Sequence, residues 1–154
     1  MPKLQISNKT LKLTNVLIAN LNPEDVQDMA FLEKMDNYIK AKGCQPVGPM
    51  VQYTGVVETG NGEVGLNLRI LRQASGYINK TEAPYTMEAE LRVPNCLYVR
   101  FVGPQSMMNV AYQKLAVYAY EEGIEVTRNS YTVYVNHLEN EDIVADIFME
   151  KAYG

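Results

Sequence analysis

The chain has 154 residues, 47% hydrophobic and 21% charged, which is enough apolar material for one sizeable core and excludes disorder. A net charge of -4, with Lys and Arg scattered rather than clustered, creates no field to attract a phosphate backbone, so direct nucleic-acid binding is not expected. No stretch approaches the roughly 20 apolar residues needed to cross a bilayer, and Cys44 and Cys96 form no C-x-x-C pattern, so the reading is a soluble, cytoplasmic protein without a membrane partner.

Leu11, Leu13 and the run Val16 to Ala19 predict a first strand ending at Asn22-Pro23. Asn22 is a good N-cap, Pro23 fits the first helical position, and Glu24 and Asp25 favour the positive end of a helix dipole. Met29, Leu32, Met35 and Ile39 then recur at helical spacing until Gly43, so a helix is predicted over Pro23 to Lys42. Met50 to Glu58 and Glu63 to Arg72 read as a hairpin through Thr59-Gly60-Asn61-Gly62, where the Asn-Gly pair accepts positive φ. The polar, turn-rich stretch Ser75 to Pro84 reads as a connection. Strand character returns at Tyr85 to Val93, breaks at Pro94-Asn95 and resumes over Cys96 to Val102. Gly103-Pro104 opens a second helix to Glu122, with Met108, Ala111, Leu115 and Ala119 on one face and Gly123 as its cap. Tyr131 to Asn136 and Ile143 to Met149 read as strands around the acidic loop Glu139 to Asp142.

The halves match at a fixed offset, Lys34 with Lys114, Tyr38 with Tyr118 and Gly43 with Gly123. Tyr53 and Tyr134 follow their glycines at separations differing by one residue, as a single insertion would produce. The expectation is an α+β fold made of a duplicated strand-helix-strand-strand module, with pseudo-repeats 11-74 and 85-151 forming a single domain. Two helices would lie on one face of an antiparallel sheet, with a central cleft near the pseudo-twofold axis as the place for a ligand. Eleven tyrosines without any Trp suit either sheet margins or a pocket, because each couples a flat apolar ring to a polar tip.

The run from Arg92 to Pro104 (Arg-Val-Pro-Asn-Cys-Leu-Tyr-Val-Arg-Phe-Val-Gly-Pro), followed by a helix, Gly123 and Tyr131-Thr132-Val133-Tyr134, resembles the GyrI-like small-molecule-binding domain. That family serves as the effector-binding part of multidrug-responsive transcription activators and as stand-alone proteins. Lys42 to Pro49 is similar to the family's first helix exit, so the likeness covers about the whole chain. It implies a duplicated module whose cleft binds hydrophobic, often cationic, molecules between aromatic side chains. Many members carry a glutamate two positions before the tyrosine that is Tyr134 here. This chain has Thr132 there, and a hydroxyl cannot supply a buried countercharge.

Strand alternation groups Thr132, Tyr134 and Asn136 on one face and Tyr131, Val133 and Val135 on the other, with Tyr134 expected to face away from the helix. Leu97, Val99 and Phe101 form an apolar face, leaving Tyr98 and Arg100 opposite, and Asp146 shares a face with Phe148. The candidate ligand-binding residues are Tyr53, Tyr98, Arg100, Tyr112, Thr132, Tyr134, Asp146 and Phe148. For the tyrosines a pocket and a solvent edge both stay open, as does the question of whether Asp146 replaces the missing acid. Glu88, Glu90 and Arg92 read as a solvated face, His137 as a surface histidine, and the cysteines as inert thiols. No metal set, phosphate loop or cofactor motif is present.

The expected function is reversible binding of a small apolar or amphipathic ligand by a stand-alone sensor, sequestering protein or regulatory module; if it regulates transcription it must do so through another protein, because only about ten residues precede the first strand. The alternative is a protein-interaction or inhibitor module that docks a partner through the cleft or its acidic surface. Catalysis is not expected, because family members thought to hydrolyse small electrophiles use a tryptophan that this chain lacks.

Overall fold

The computed structural model describes residues 4–21, 30–58, 61–137 and 142–152. Its elements are β1 (Ser7–Leu21), α1 (Ala30–Ala41), β2 (Pro46–Glu58), β3 (Val64–Ala74), β4 (Tyr85–Pro104), a 3-10 turn (Gln105–Met107), α2 (Met108–Glu121), β5 (Val126–His137) and β6 (Asp142–Lys151). The chain is α+β, with antiparallel strands and two helices. The predicted helix start at Asn22, Pro23 and Met29, the turn residues Thr59 and Gly60, and most of the loop from Glu139 lie outside the described residues.

The strands extend past the apolar stretches that predict them. β4 is continuous where Pro94-Asn95 was expected to break it, because Asn95 adopts φ 56, a left-handed conformation that Asn tolerates and that bends a strand without ending it. The Asn95 N–H donates to the Thr10 hydroxyl at 3.2 Å, which ties the bend to β1. The second helix opens with a 3-10 turn before regular α-helix begins at Met108.

The chain divides into two compact units, Lys12–Arg92 and Met1–Leu11 with Val93–Gly154. In the Lys12–Arg92 unit, β3 lies between β1 and β2, with Ala19 opposite Ile70 and Gln52 opposite Ile70 on its other side. Met35 and Ile39 of α1 pack on one sheet face against Leu17, Ala19, Leu21, Leu68 and Ile70. In the other unit β6 lies between β4 and β5. Met108, Ala111, Leu115 and Ala119 of α2 cover Leu97, Val99, Phe101, Ile143, Ala145 and Ile147. Burying each large apolar side chain in such a layer stabilises the fold by about 1.5–3 kcal/mol.

Both units run strand, helix, strand, strand, and finer details recur. Gly43 (φ 86) and Gly123 (φ 66) close α1 and α2. Beyond them, Ser75 N–H donates to the Gln45 carbonyl at 2.8 Å and Ala152 N–H to that of Glu125 at 2.9 Å. The ladder then slips in both, between Val47 and Val51 and between Val126 and Ser130. Because both slips skip the same number of positions, Tyr53 opposite Arg69 occupies the rung held by Val133 opposite Asp146. The extra residue therefore does not precede Tyr134. It lies beyond it, where a second register shift separates Tyr134 from Asn136.

Candidate functional site

In the Val93–Gly154 unit, Leu97, Val99 and Phe101 are spent on the α2 core, so the period-two geometry of β4 turns Tyr98 and Arg100 to the opposite face. Register then brings them level with β6: Tyr98 stands opposite Phe148 and Arg100 opposite Asp146. The Tyr98 and Phe148 rings have centroids 5.1 Å apart and tilt by 50°. Asp146 Oδ1 accepts hydrogen bonds from the Tyr98 hydroxyl at 2.7 Å and Arg100 Nε at 2.8 Å, and Oδ2 accepts from Arg100 Nη2 at 3.0 Å. Lys9 Nζ sits 4.4 Å from the centroid of the Tyr98 ring, within cation–π range.

Burial pushes the Asp146 carboxyl up, but the hydrogen bonds from Arg100 and Tyr98 and the charges of Arg100 and Lys9 outweigh it and hold the carboxyl below its ordinary range. Burial, reinforced by Asp146, pushes the Tyr98 phenol up. Asp146 is thus an ionised acceptor already supplied with three donors. Its partner Arg100 is half exposed, at 53% of its side chain, against 15% for Asp146, so the arginine is the solvent-facing member of the pair. Together Lys9, Tyr98, Arg100, Asp146 and Phe148 carry two positive charges and one negative.

Thr132 and Tyr134 do not join this face. Thr132 pairs with Ile147 and Tyr134 with Ala145, both in the core beneath α2, and Tyr134 packs against that core. The expectation that Tyr134 faces away from the helix is therefore reversed, because the register of β6 rather than the alternation of β5 alone fixes which face is inner. The Thr132 hydroxyl is hydrogen-bonded to the hydroxyl of Tyr112 on α2 and is buried. Burial, with Tyr112 nearby, raises the Tyr134 phenol to about 12. Burial also raises Tyr112, against the pull of the Thr132 hydrogen bond. These three residues form a polar seam inside the helix–sheet layer.

Tyr53 belongs to the Lys12–Arg92 unit, on the face of β2 and β3 away from α1, where the Arg69 guanidinium lies 5.1 Å from its ring centroid. Sequence reasoning missed Arg69 and Lys9. Arg69 had a readable signal, a charge set inside the apolar run Leu66 to Leu71; Lys9 had none, because only the path of β1 brings it over Tyr98. The remaining tyrosine cluster is local: Tyr38 is hydrogen-bonded to Glu82, which pairs with Lys42 at 3.0 Å, and the Tyr38 ring packs 4.4 Å from Tyr85. It fastens the 75–84 connection to α1. A recess of about 340 Å³ opens between the end of α2 and the β5 bulge, lined by Ala116, Ala119, Tyr120, Ile124, Val126 and Met149 among others. It holds none of the expected site residues. No helix among the described residues is long and apolar enough to cross a membrane. Cys96 is buried and burial raises its thiol, which suits a packing role rather than a nucleophile.

No family model and no curated protein matches the chain. Solved structures do. The chain is similar to EcmrR in a cryo-EM structure of the EcmrR–DNA complex, with a TM-score of 0.68 at 14% identity over 96% of this chain and 57% of that one. It thus spans little more than half of that chain. It is also similar to the crystallised EcmrR C-terminal domain, with a TM-score of 0.62 at 15% identity over 96% of this chain and 97% of that one. A hydrolase from Listeria innocua gives a TM-score of 0.57 at 14% identity over 97% and 94% of the two chains. The shared property is the fold.

Proposed function

We propose that the chain is a GyrI-like, effector-binding regulatory domain, built of pseudo-repeats 11-74 and 85-151, that reversibly binds a small apolar or amphipathic molecule against the Tyr98–Phe148 face. The observation that carries this reading is the aromatic pair, both rings buried, set beside an ionised, donor-saturated Asp146 on the sheet face opposite α2. The likeness to the EcmrR C-terminal domain supports it at the level of fold. Binding is favoured over hydrolysis because a carboxylate held ionised by an arginine and a phenol is a poor proton donor. Asp146 does not stand as a free countercharge for a cation: a cationic ligand would first have to displace Arg100. The ligand is therefore apolar or amphipathic without a preference for positive charge.

Fluorescence titration with 1-pyrenebutanol and its cationic analogue 1-pyrenebutylamine tests this reading. The neutral probe is expected to bind at least as tightly as the cation, and Tyr98→Ala to weaken it about tenfold, or about 1.4 kcal/mol, with circular dichroism checking the fold. Tenfold tighter binding of the cation, abolished by Asp146→Asn, would instead assign Asp146 the role of the missing acid. A partner-docking reading has its own observation: Tyr120 is 88% exposed and Val117 54% exposed on α2, with Tyr120 at the recess. If neither probe binds, that reading takes precedence.

A further inference from the structure

We infer that the face of β3 turned away from α1 is an anion-accepting site, and that its ligand is an amphiphile joining an aromatic body to a carboxylate. This rests on the reading above that the chain binds small amphipathic molecules and adds a face of the Lys12–Arg92 unit that would take them, with the head group it would select. Leu68 and Ile70 point into the α1 core, so Arg69 between them must project from the opposite face. Its rung partners are Asn20 on β1 and Tyr53 on β2. The guanidinium packs on the Tyr53 ring, 5.1 Å from its centroid. Arg69 Nε is buried and has no hydrogen-bond partner among the described residues.

Arginine cannot escape this by losing its proton, and a buried charged donor without an acceptor is unfavourable. The part-buried Arg72 meets that demand internally by pairing with Asp36. Of the two rungs neighbouring Arg69 on the same face, one offers Ile18, Val51 and Leu71, which are apolar and buried, and the other Asn67 opposite Gly55, and Nε is bonded to none of them. An incoming carboxylate oxygen would give Nε a charge-assisted hydrogen bond. The exposed Asn20 amide adds a second donor, and the Tyr53 ring an apolar surface for the ligand's aromatic body.

Titration of the intact protein with 1-pyrenebutyrate and 1-pyrenebutanol, which share ring and chain and differ in the head group, decides the matter. Wild type is expected to bind the carboxylate at least tenfold more tightly than the alcohol. Arg69→Gln should remove that preference while leaving the alcohol within twofold. Arg69→Lys, which keeps the charge and lacks Nε, should restore only part of it, and it serves alone if the glutamine variant does not fold. Equal binding of both probes to wild type, or a carboxylate preference that survives either substitution, overturns the inference and leaves small-molecule binding standing. Failure of both probes to bind wild type overturns the two together.

Discussion

At the scale of single residues, the same side-chain chemistry acquires different roles according to its layer. Thr132, by sequence the position of a lost acid, is a buried hydroxyl paired with Tyr112 under α2. Thr132→Glu should therefore not create a cation site. It would force a carboxylate into an apolar layer and is expected to cost about 3 kcal/mol or more. Thr132→Val, which strands the Tyr112 hydroxyl, should cost about 1 kcal/mol. Urea denaturation of both variants checks the order, and a glutamate variant as stable as wild type would contradict the placement. Tyr134 supplies a pH test. Its folded value is raised to about 12 from 10.0 by burial, so its contribution is fully present below the ordinary value and declines as pH climbs through the folded one. Stability should fall above pH 10, and phenolate absorbance should show late-titrating tyrosines among the eleven. Complete titration of all of them near pH 10 without loss of structure would contradict this.

At the scale of elements, the helix exits and the bulges after them do most of the positioning. Gly43 and Gly123 hold φ of 86 and 66, and an added Cβ would meet nothing within 4 Å at either. The cost of Ala there is purely conformational, so Gly43→Ala and Gly123→Ala should each destabilise by about 1 kcal/mol. Chemical denaturation should give similar values for the two, and a change of several kcal/mol at only one would show that the exits differ. The bulges that follow set the later registers. A slip of one residue would exchange faces, moving Tyr131 beneath the helix and Thr132 away from it.

At the scale of the whole molecule, charge limits the partners. A net charge of -4 carries no counterion-release driving force on a phosphate backbone. Although the fold is shared with part of a protein solved in complex with DNA, the chain itself should not shift duplex DNA at physiological salt. Submicromolar binding in a gel shift would overturn this.

Much of the architecture was legible in the sequence, because hydrophobic periodicity records which face of an element is apolar. Met108, Ala111, Leu115 and Ala119 at helical spacing determined the inner face of α2, and Leu97, Val99 and Phe101 determined that of β4, placing Tyr98 and Arg100 opposite. Glycine after each helix fixed the exits, since few other residues accept positive φ. What alternation could not supply was the sign of a face in a strand bearing polar residues on both sides. In β5, Thr132 and Tyr134 look like the outer set beside Val133, and only pairing with Ile147 and Ala145 makes them inner. Nor could one-dimensional order join Asp146 to Tyr98 and Arg100, or lay Lys9 over Tyr98 and Arg69 over Tyr53. Those contacts depend on inter-strand register, which emerges when bulges and packing jointly choose one pairing, and local sequence has no means to record it.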